Sequence, residues 1–197
     1  MDGRRVFEIA SLIADCQEAT ASEATDVRGQ VRELLLRVVA EPAGVAEVLA
    51  KDEAGLNVLY SSPDLTILNV IWAPGMTLAP HDHRMWAAIA VYAGSEENSF
   101  FKRGVERIAR AGGRVAQTGD VLSLGAEAIH AVHNPQQRFT GAIHVYGGDF
   151  VNQPRSQWDP DTLLERPWDL ESIRSQFAAA NAEWRAQLGH DLDEVAT

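Results

Sequence analysis

Between residues 55 and 150 the chain advances in short β-branched and aromatic runs. LTILNVIWAP, MWAAIAVYAG and TGAIHVYGG are examples, broken by glycine, proline and Asn or Asp turns. Several short strands at such close spacing can bury their apolar faces by closing into a sandwich or barrel. On both sides the period changes. Val6, Ile9 and Ile13, then Val31, Leu34, Leu35 and Val38, recur at helical spacing, so residues 4–51 read as helices. Pro42 suits the first turn of a third short helix. Residues 161–187 read as helix again, as DTLLER and, after Pro167, as DLESIRSQFAAANAEWRAQLG. Asp169 is the expected cap of that helix and Gly189 its stop, followed by a loose acidic tail from His190 to Thr197. The expected architecture is one mainly β domain over residues 1–197. It has N-terminal helices at 4–51, a β-barrel core at 55–150 and C-terminal helices at 161–187.

Charge narrows the function classes. Seventeen Lys and Arg stand against 28 Asp and Glu, a net charge of −11, which gives no electrostatic support for nucleic acid or an anionic membrane surface. The single cysteine, Cys16, excludes an intramolecular disulfide and a CxxC metal or redox site. No apolar run approaches the roughly 20 residues of a membrane helix. The N-terminal stretch carries Asp2 and Glu8 and lacks the apolar core of a signal peptide, so the expected compartment is the cytoplasm.

Five of the six histidines fall between positions 81 and 144, inside the β region. Histidine is the commonest protein ligand for metals. In the segment PHDH, residues 80–83, alternation along a strand points His81 and His83 to one face. They would stand about 6.6 Å apart at the usual strand rise, close enough for both rings to tilt onto one ion. Further on, GDVLSLGAEAIHAVHN supplies His130 and His133. Three residues apart on a strand means opposite faces, so only one of them can join the same site unless the chain turns between them. Spacing alone does not choose.

The glycines around these histidines form a pattern. Gly75, His81 and His83 read G-x5-H-x-H, Gly94 closes the next strand, and Gly119, His130 and Asn134 read G-x10-H-x3-N. The arrangement resembles the two signature motifs of the cupin superfamily. That resemblance implies a double-stranded β-helix (jelly-roll) barrel with a metal held by His81, His83 and His130, and it favours His130 over His133. Most metal cupins also place a glutamate four or five residues after the second histidine. Here Ala87 and Ala88 stand there, and the nearest acids, Glu96 and Glu97, are expected beyond the turn at Gly94. The implied site is three neutral imidazoles without a carboxylate, unlike the two-His-one-carboxylate triad of many iron oxygenases. Such a site favours an anionic ligand such as a thiolate or carboxylate.

HDHRMWAAIAVYAGSEENSFF, followed by IHAVHN and IHVYGGDF, resembles the cysteine dioxygenase and thiol dioxygenase family more narrowly. The resemblance implies mononuclear Fe(II), a small thiol and O2 as partners, and a sulfinate product. It makes His144 an outer-shell partner and Tyr146 a hydroxyl lining the iron site; two apart, they share a strand face. Three departures stand out. The cysteine that cross-links to the tyrosine in animal-type members corresponds to Ala88, and Cys16 is no replacement. The serine of the family's S-x-H-x-Y triad is Ala142. The carboxylate-clamping arginine would fall near Asn57 or Leu59, which leaves Arg103 or Arg84 as candidate clamps. Trp86 is expected to face away from the metal, and Trp72 to serve the core or the pocket. The rivals are another metal cupin, such as a non-thiol dioxygenase or an isomerase, and a non-catalytic metal- or ligand-binding cupin.

Overall fold

A computed structural model describes residues 6–22 and 25–195. Three helices come first: α1 (Ile9–Ala21), α2 (Val27–Val38) and α3 (Pro42–Leu49). Asp26 caps α2 by accepting the Gly29 amide at 2.9 Å. A side chain at Gly29 would run into that carboxylate, since a Cβ there would lie 2.2 Å from Asp26 Oδ2. Pro42 opens α3, as its fixed φ allows. The apolar stripe of these helices, including Leu12, Val31, Leu35, Val45 and Leu49, is buried against one face of a sheet.

Among the described residues eleven strands follow. They are β1 (Gly55–Ser61), β2 (Thr66–Trp72), β3 (Thr77–Asp82), β4 (Ala87–Ala93), β5 (Ser95–Arg103), β6 (Ile108–Gln117), β7 (Val121–Leu124), β8 (Ile129–His133), β9 (Thr140–Tyr146), β10 (Ser156–Trp158) and β11 (Glu165–Pro167). One sheet has the order β1-β2-β9-β4-β7 and the other β11-β10-β3-β8-β5-β6, all pairs antiparallel. The eight central strands therefore form two four-stranded halves, β2-β9-β4-β7 and β3-β8-β5-β6. Crossing between halves at nearly every connection, they make a double-stranded β-helix, or jelly roll. The first sheet is covered twice, by the other half inside and by the helices outside. Hence β2 and β9 are buried along their whole length and read as largely apolar runs interrupted by a few paired polar residues such as Asn69 and Thr140. Strand β6, at the edge of the second sheet, is exposed except at Ile108 and Ala116 and carries small and polar residues.

The C-terminal third departs from the sequence expectation. DTLLER is not helical. Asp159 Oδ1 accepts the amides of Asp161 and Thr162 and folds the segment into a turn, which the β10–β11 hairpin closes. Helix α4 (Leu170–Val195) then starts at the expected cap, where Asp169 Oδ1 accepts the amides of Glu171 and Ser172. It does not stop at Gly189 but runs on to Val195, so the segment from His190 is helix and not a loose tail; residues 196 and 197 lie outside the described residues. A helical glycine costs about 1 kcal/mol, too little to end a helix that is otherwise favoured. Ile173 and Phe177 of α4 cover the mouth of the barrel. Asn181 fastens the helix by bonding both the N–H and the C=O of Ala54. No helix of the described residues is long and apolar enough to cross a membrane.

Candidate metal centre

Strand pairing brings the histidines together. His81 on β3 lies directly opposite His130 on β8, next to a shift in the ladder between Leu78 and His81. His83 follows the end of β3, just before the chain turns at Arg84 with φ +56°. The three rings are buried, with centroids 4.6–5.1 Å apart and one ligand atom from each within 4.8 Å of the others. Their tautomers follow from their partners. His81 Nδ1–H donates to the Ala79 carbonyl at 3.0 Å and His130 Nδ1–H to Asn98 Oδ1 at 2.8 Å, so both Nε2 atoms carry lone pairs. His130 Nε2 faces His83 Nε2 at 3.4 Å. Burial lowers the His81 pKa to about 4 and those of His83 and His130 well below the usual value, and repulsion among the rings adds to the drop. Three neutral imidazoles with converging lone pairs are the protonation state a divalent ion requires, and the donor set suits Fe, Zn, Cu or Ni.

His133 turns the other way and bonds Thr77 Oγ1 through Nδ1. His144 and Tyr146 do share an inward face, with the tyrosine hydroxyl 2.9 Å from His144 Nδ1 and the Tyr146 ring 5.0 Å from that of His83. Trp86 stays outside, its indole against Gly147. Trp72 is both buried core and pocket wall. Two sequence assignments are corrected. Ala88 faces the helical layer; the alanine opposite Tyr146 is Ala87, so no thiol stands on either side of β4 there. Both acids follow Gly94 on β5, and Glu97 is exposed as expected, but Glu96 points back into the barrel. Gly94, with φ +77°, is the whole connection between β4 and β5, so the chain re-enters the barrel at once. Glu96 is 0% exposed and accepts the Trp72 indole N–H at 2.7 Å. Strand alternation was the signal: Glu96, Asn98 and Phe100 lie on one face of β5.

The candidate clamps Arg84 and Arg103 are engaged elsewhere. Both bond Asp82 Oδ2, at 2.6 and 2.7 Å, and Arg103 also pairs with Glu165 at 3.2 Å. The Ser156 amide donates to Asp82 Oδ1 at 2.8 Å, so this hub pins the connector after β9. The guanidinium beside the site is that of Arg155, which sequence reasoning missed because no periodicity marks a connector. It is 6% exposed and lies 4.1 Å from the Phe150 ring centroid and 4.2 Å from that of Trp168. Phe150 in turn packs on Tyr146 and Trp168 on His81. One Arg155 nitrogen donates to the Phe150 carbonyl, while Nε and Nη2 have no hydrogen-bond partner. Burial lowers its pKa to about 10, so it remains a cation at neutral pH. The cavity against the three histidines is small, about 20 Å³, and its other walls include Leu56, Val70, Tyr146, Phe150, Trp168 and Ile173; Arg155 reaches its edge through the Phe150 and Trp168 rings it stacks on.

No family model matches the chain. Among solved structures it is similar to an RmlC-like cupin family protein with a double-stranded β-helix fold from Methanocaldococcus jannaschii. Identity is 8% over 52% of this chain and 86% of that one, with a TM-score of 0.44. It is also similar to a conserved double-stranded β-helix protein from Klebsiella pneumoniae, at 16% identity over 55% of this chain and 81% of that one, TM-score 0.43. Oxalate decarboxylase from Bacillus subtilis is matched at 20% identity and a TM-score of 0.38, over 45% of this chain but only 22% of that enzyme.

Proposed function

We propose that this protein is a mononuclear non-haem Fe(II) dioxygenase that uses O2 to oxidise a small carboxylate-bearing thiol to its sulfinate. The observation that carries the reading is Arg155: a buried cation with two unpaired N–H donors, next to three converging neutral imidazoles. A buried guanidinium with unpaired donors is costly, and the nearby carboxylate of Asp82 is already bonded to Arg84 and Arg103, so a further anion is expected there. Arginine's planar fork suits a carboxylate. His81, His83 and His130 would hold the iron. When bound, the metal supplies a positive charge for a thiolate and the redox chemistry that O2 requires.

The chain's own groups do the rest. Arg155 fixes the carboxylate end of the substrate and so sets the direction of its sulfur. Phe150 and Trp168 hold the guanidinium in place by stacking on it. Leu56, Ile173 and Trp168 keep water from the cavity. Tyr146, held by His144, offers a hydroxyl in the wall of the same cavity. The proposed partners are the thiol and O2, with no nucleic acid or membrane, in the cytoplasm.

The test is oxygen uptake and sulfinate formation by iron-loaded protein with 3-mercaptopropionate, cysteine and cysteamine. The acids should be oxidised and cysteamine, which has no carboxylate, should not. Arg155→Gln should raise KM for the acids at least tenfold. The geometry also accommodates a metal cupin that acts on, or simply binds, a non-thiol carboxylate, because Arg155 would hold any small acid. Carboxylate binding without uptake of O2 on any of the thiols would favour that alternative and overturn the dioxygenase.

A further inference from the structure

The interior contains a second carboxylate that the proposed chemistry leaves without a task. Glu96 is fully buried, and its Oε1 takes the Trp72 indole proton. The same oxygen lies 3.5 Å from His144 Nε2, which has no hydrogen bond of its own. On β9 the inward residue before His144 is Ala142, which offers the imidazole no hydroxyl. Across the barrel, β5 supplies the carboxylate instead. The result is a chain from Trp72 through Glu96 and His144 to Tyr146.

We propose that Glu96 is a positioning residue that holds His144 as the Nε2–H tautomer and thereby sets the direction of the Tyr146 hydroxyl. Glu96 Oε1 accepts the Trp72 indole N–H and so faces His144 as an acceptor oxygen. A lone pair on Nε2 facing it at 3.5 Å would be repelled, whereas an N–H is attracted, and low local polarity strengthens both effects. The indole N–H can only donate, so Trp72 keeps the carboxylate oxygen aimed between the two rings. With the His144 proton on Nε2, Nδ1 is an acceptor. The Tyr146 hydroxyl, 2.9 Å away, must then donate to it. Tyr146 therefore presents only lone pairs to the cavity and accepts a hydrogen bond only from a donor there, such as a water or the ammonium of cysteine. This last consequence rests on the dioxygenase reading; the tautomer does not.

The experiment is nitrogen-15 NMR of the imidazole rings in Zn-loaded protein at neutral pH, which needs no substrate and no turnover. The parent should show His144 protonated at Nε2 and bare at Nδ1. Glu96→Gln retains an acceptor oxygen and should keep that tautomer, as should Trp72→Phe, which removes only the indole bond. Glu96→Ala should shift a large fraction to the other tautomer. If the iron-loaded protein is active, Glu96→Ala should lose about 10–100-fold in kcat at nearly constant KM, and Glu96→Gln should recover most of it. A parent His144 protonated at Nδ1, or at both nitrogens, overturns the proposal even if Glu96→Ala does not fold. So does an unchanged tautomer in a folded Glu96→Ala. An inactive protein with the expected tautomers would defeat the dioxygenase reading alone.

Discussion

The two faces of the β1-β2-β9-β4-β7 sheet are built from alternating residues of the same strands, yet they solve opposite problems. Outward, Ile67, Ile71, Ile143 and Val145 meet the helices in a dry layer. Its polar atoms are paired: Asn69 Nδ2 donates to the Leu49 carbonyl, and the Tyr92 hydroxyl reaches both Asn69 Oδ1 and that carbonyl. Inward, Trp72, His144 and Tyr146 look onto the histidine cluster, and several polar atoms have no partner, among them His83 Nδ1, His144 Nε2, Glu96 Oε2 and Arg155 Nη2. Buried polar groups are normally satisfied, so a cluster of exceptions marks where the molecule expects a ligand. One face supplies stability and the other gives some up to chemistry.

That division makes the inner face the place of the largest effect. His81→Ala, His83→Ala or His130→Ala should each abolish binding of the roughly one divalent metal per chain expected of the parent, as read by elemental analysis. Full occupancy in His130→Ala would remove that histidine from the site. The outer face should answer in stability instead. Ile143→Ala should cost about 2–5 kcal/mol in urea unfolding while leaving metal content unchanged.

A pH effect of comparable size belongs to the inner face. An unfolded histidine titrates near 6.5, whereas folded His81 titrates at about 4. Below pH 6.5 the unfolded chain therefore binds the extra proton. The stability associated with a neutral His81 is present above pH 6.5 and is lost as the pH falls toward 4. The loss amounts to about 3 kcal/mol for this ring in metal-free protein. Urea unfolding of chelator-treated parent and His81→Leu, which has no ring to titrate, isolates it. Parallel pH profiles would mean that water reaches His81 freely.

A smaller effect separates the faces within one strand. His144→Ala should lower activity or metal affinity about 10–100-fold with the fold intact, the reverse of its neighbour Ile143→Ala. Tyr146→Phe should lower kcat and kcat/KM together, more than it weakens thiol binding, as expected for a hydroxyl that acts mainly in the transition state. If His144→Ala matches the parent in both assays, its ring is only core packing.

The same contrast explains what was legible in the sequence. Short β-branched and aromatic runs broken by turn residues between 55 and 150 marked the barrel, and helical spacing marked the layer over it. The pair His81 and His83, and the pair His144 and Tyr146, could be placed because i and i+2 share a strand face whatever surrounds them. Glu96 was misplaced because Gly94 looks like the start of a longer turn; only the barrel geometry shows that one residue suffices. Arg155 could not be found, since its position depends on Asp82 holding the Ser156 amide 74 residues away in the chain. DTLLER has helical composition, but Asp159 captures its amides first, and Gly189 is outweighed by the helix around it.

The smallest effect expected is at the protein's only thiol. Cys16 lies in α1 with no exposed surface, on the far side of the sheet from the histidines. Burial, aided by the nearby Asp15 charge, pushes its pKa up to about 12. At pH 8 almost none of it is thiolate, the form that reacts with an alkylating agent. Iodoacetamide should therefore leave the native protein unmodified and label it fully in urea, as read by mass. Cys16→Ala should cost about 1 kcal/mol of stability through lost packing and leave metal content and oxygen uptake unchanged, because no cysteine stands near Tyr146 to cross-link with it. Rapid labelling of the native chain would show that the helices part readily from the sheet. The outer layer would then be a moving cover, and the contrast between a rigid outer face and a reactive inner one would fail.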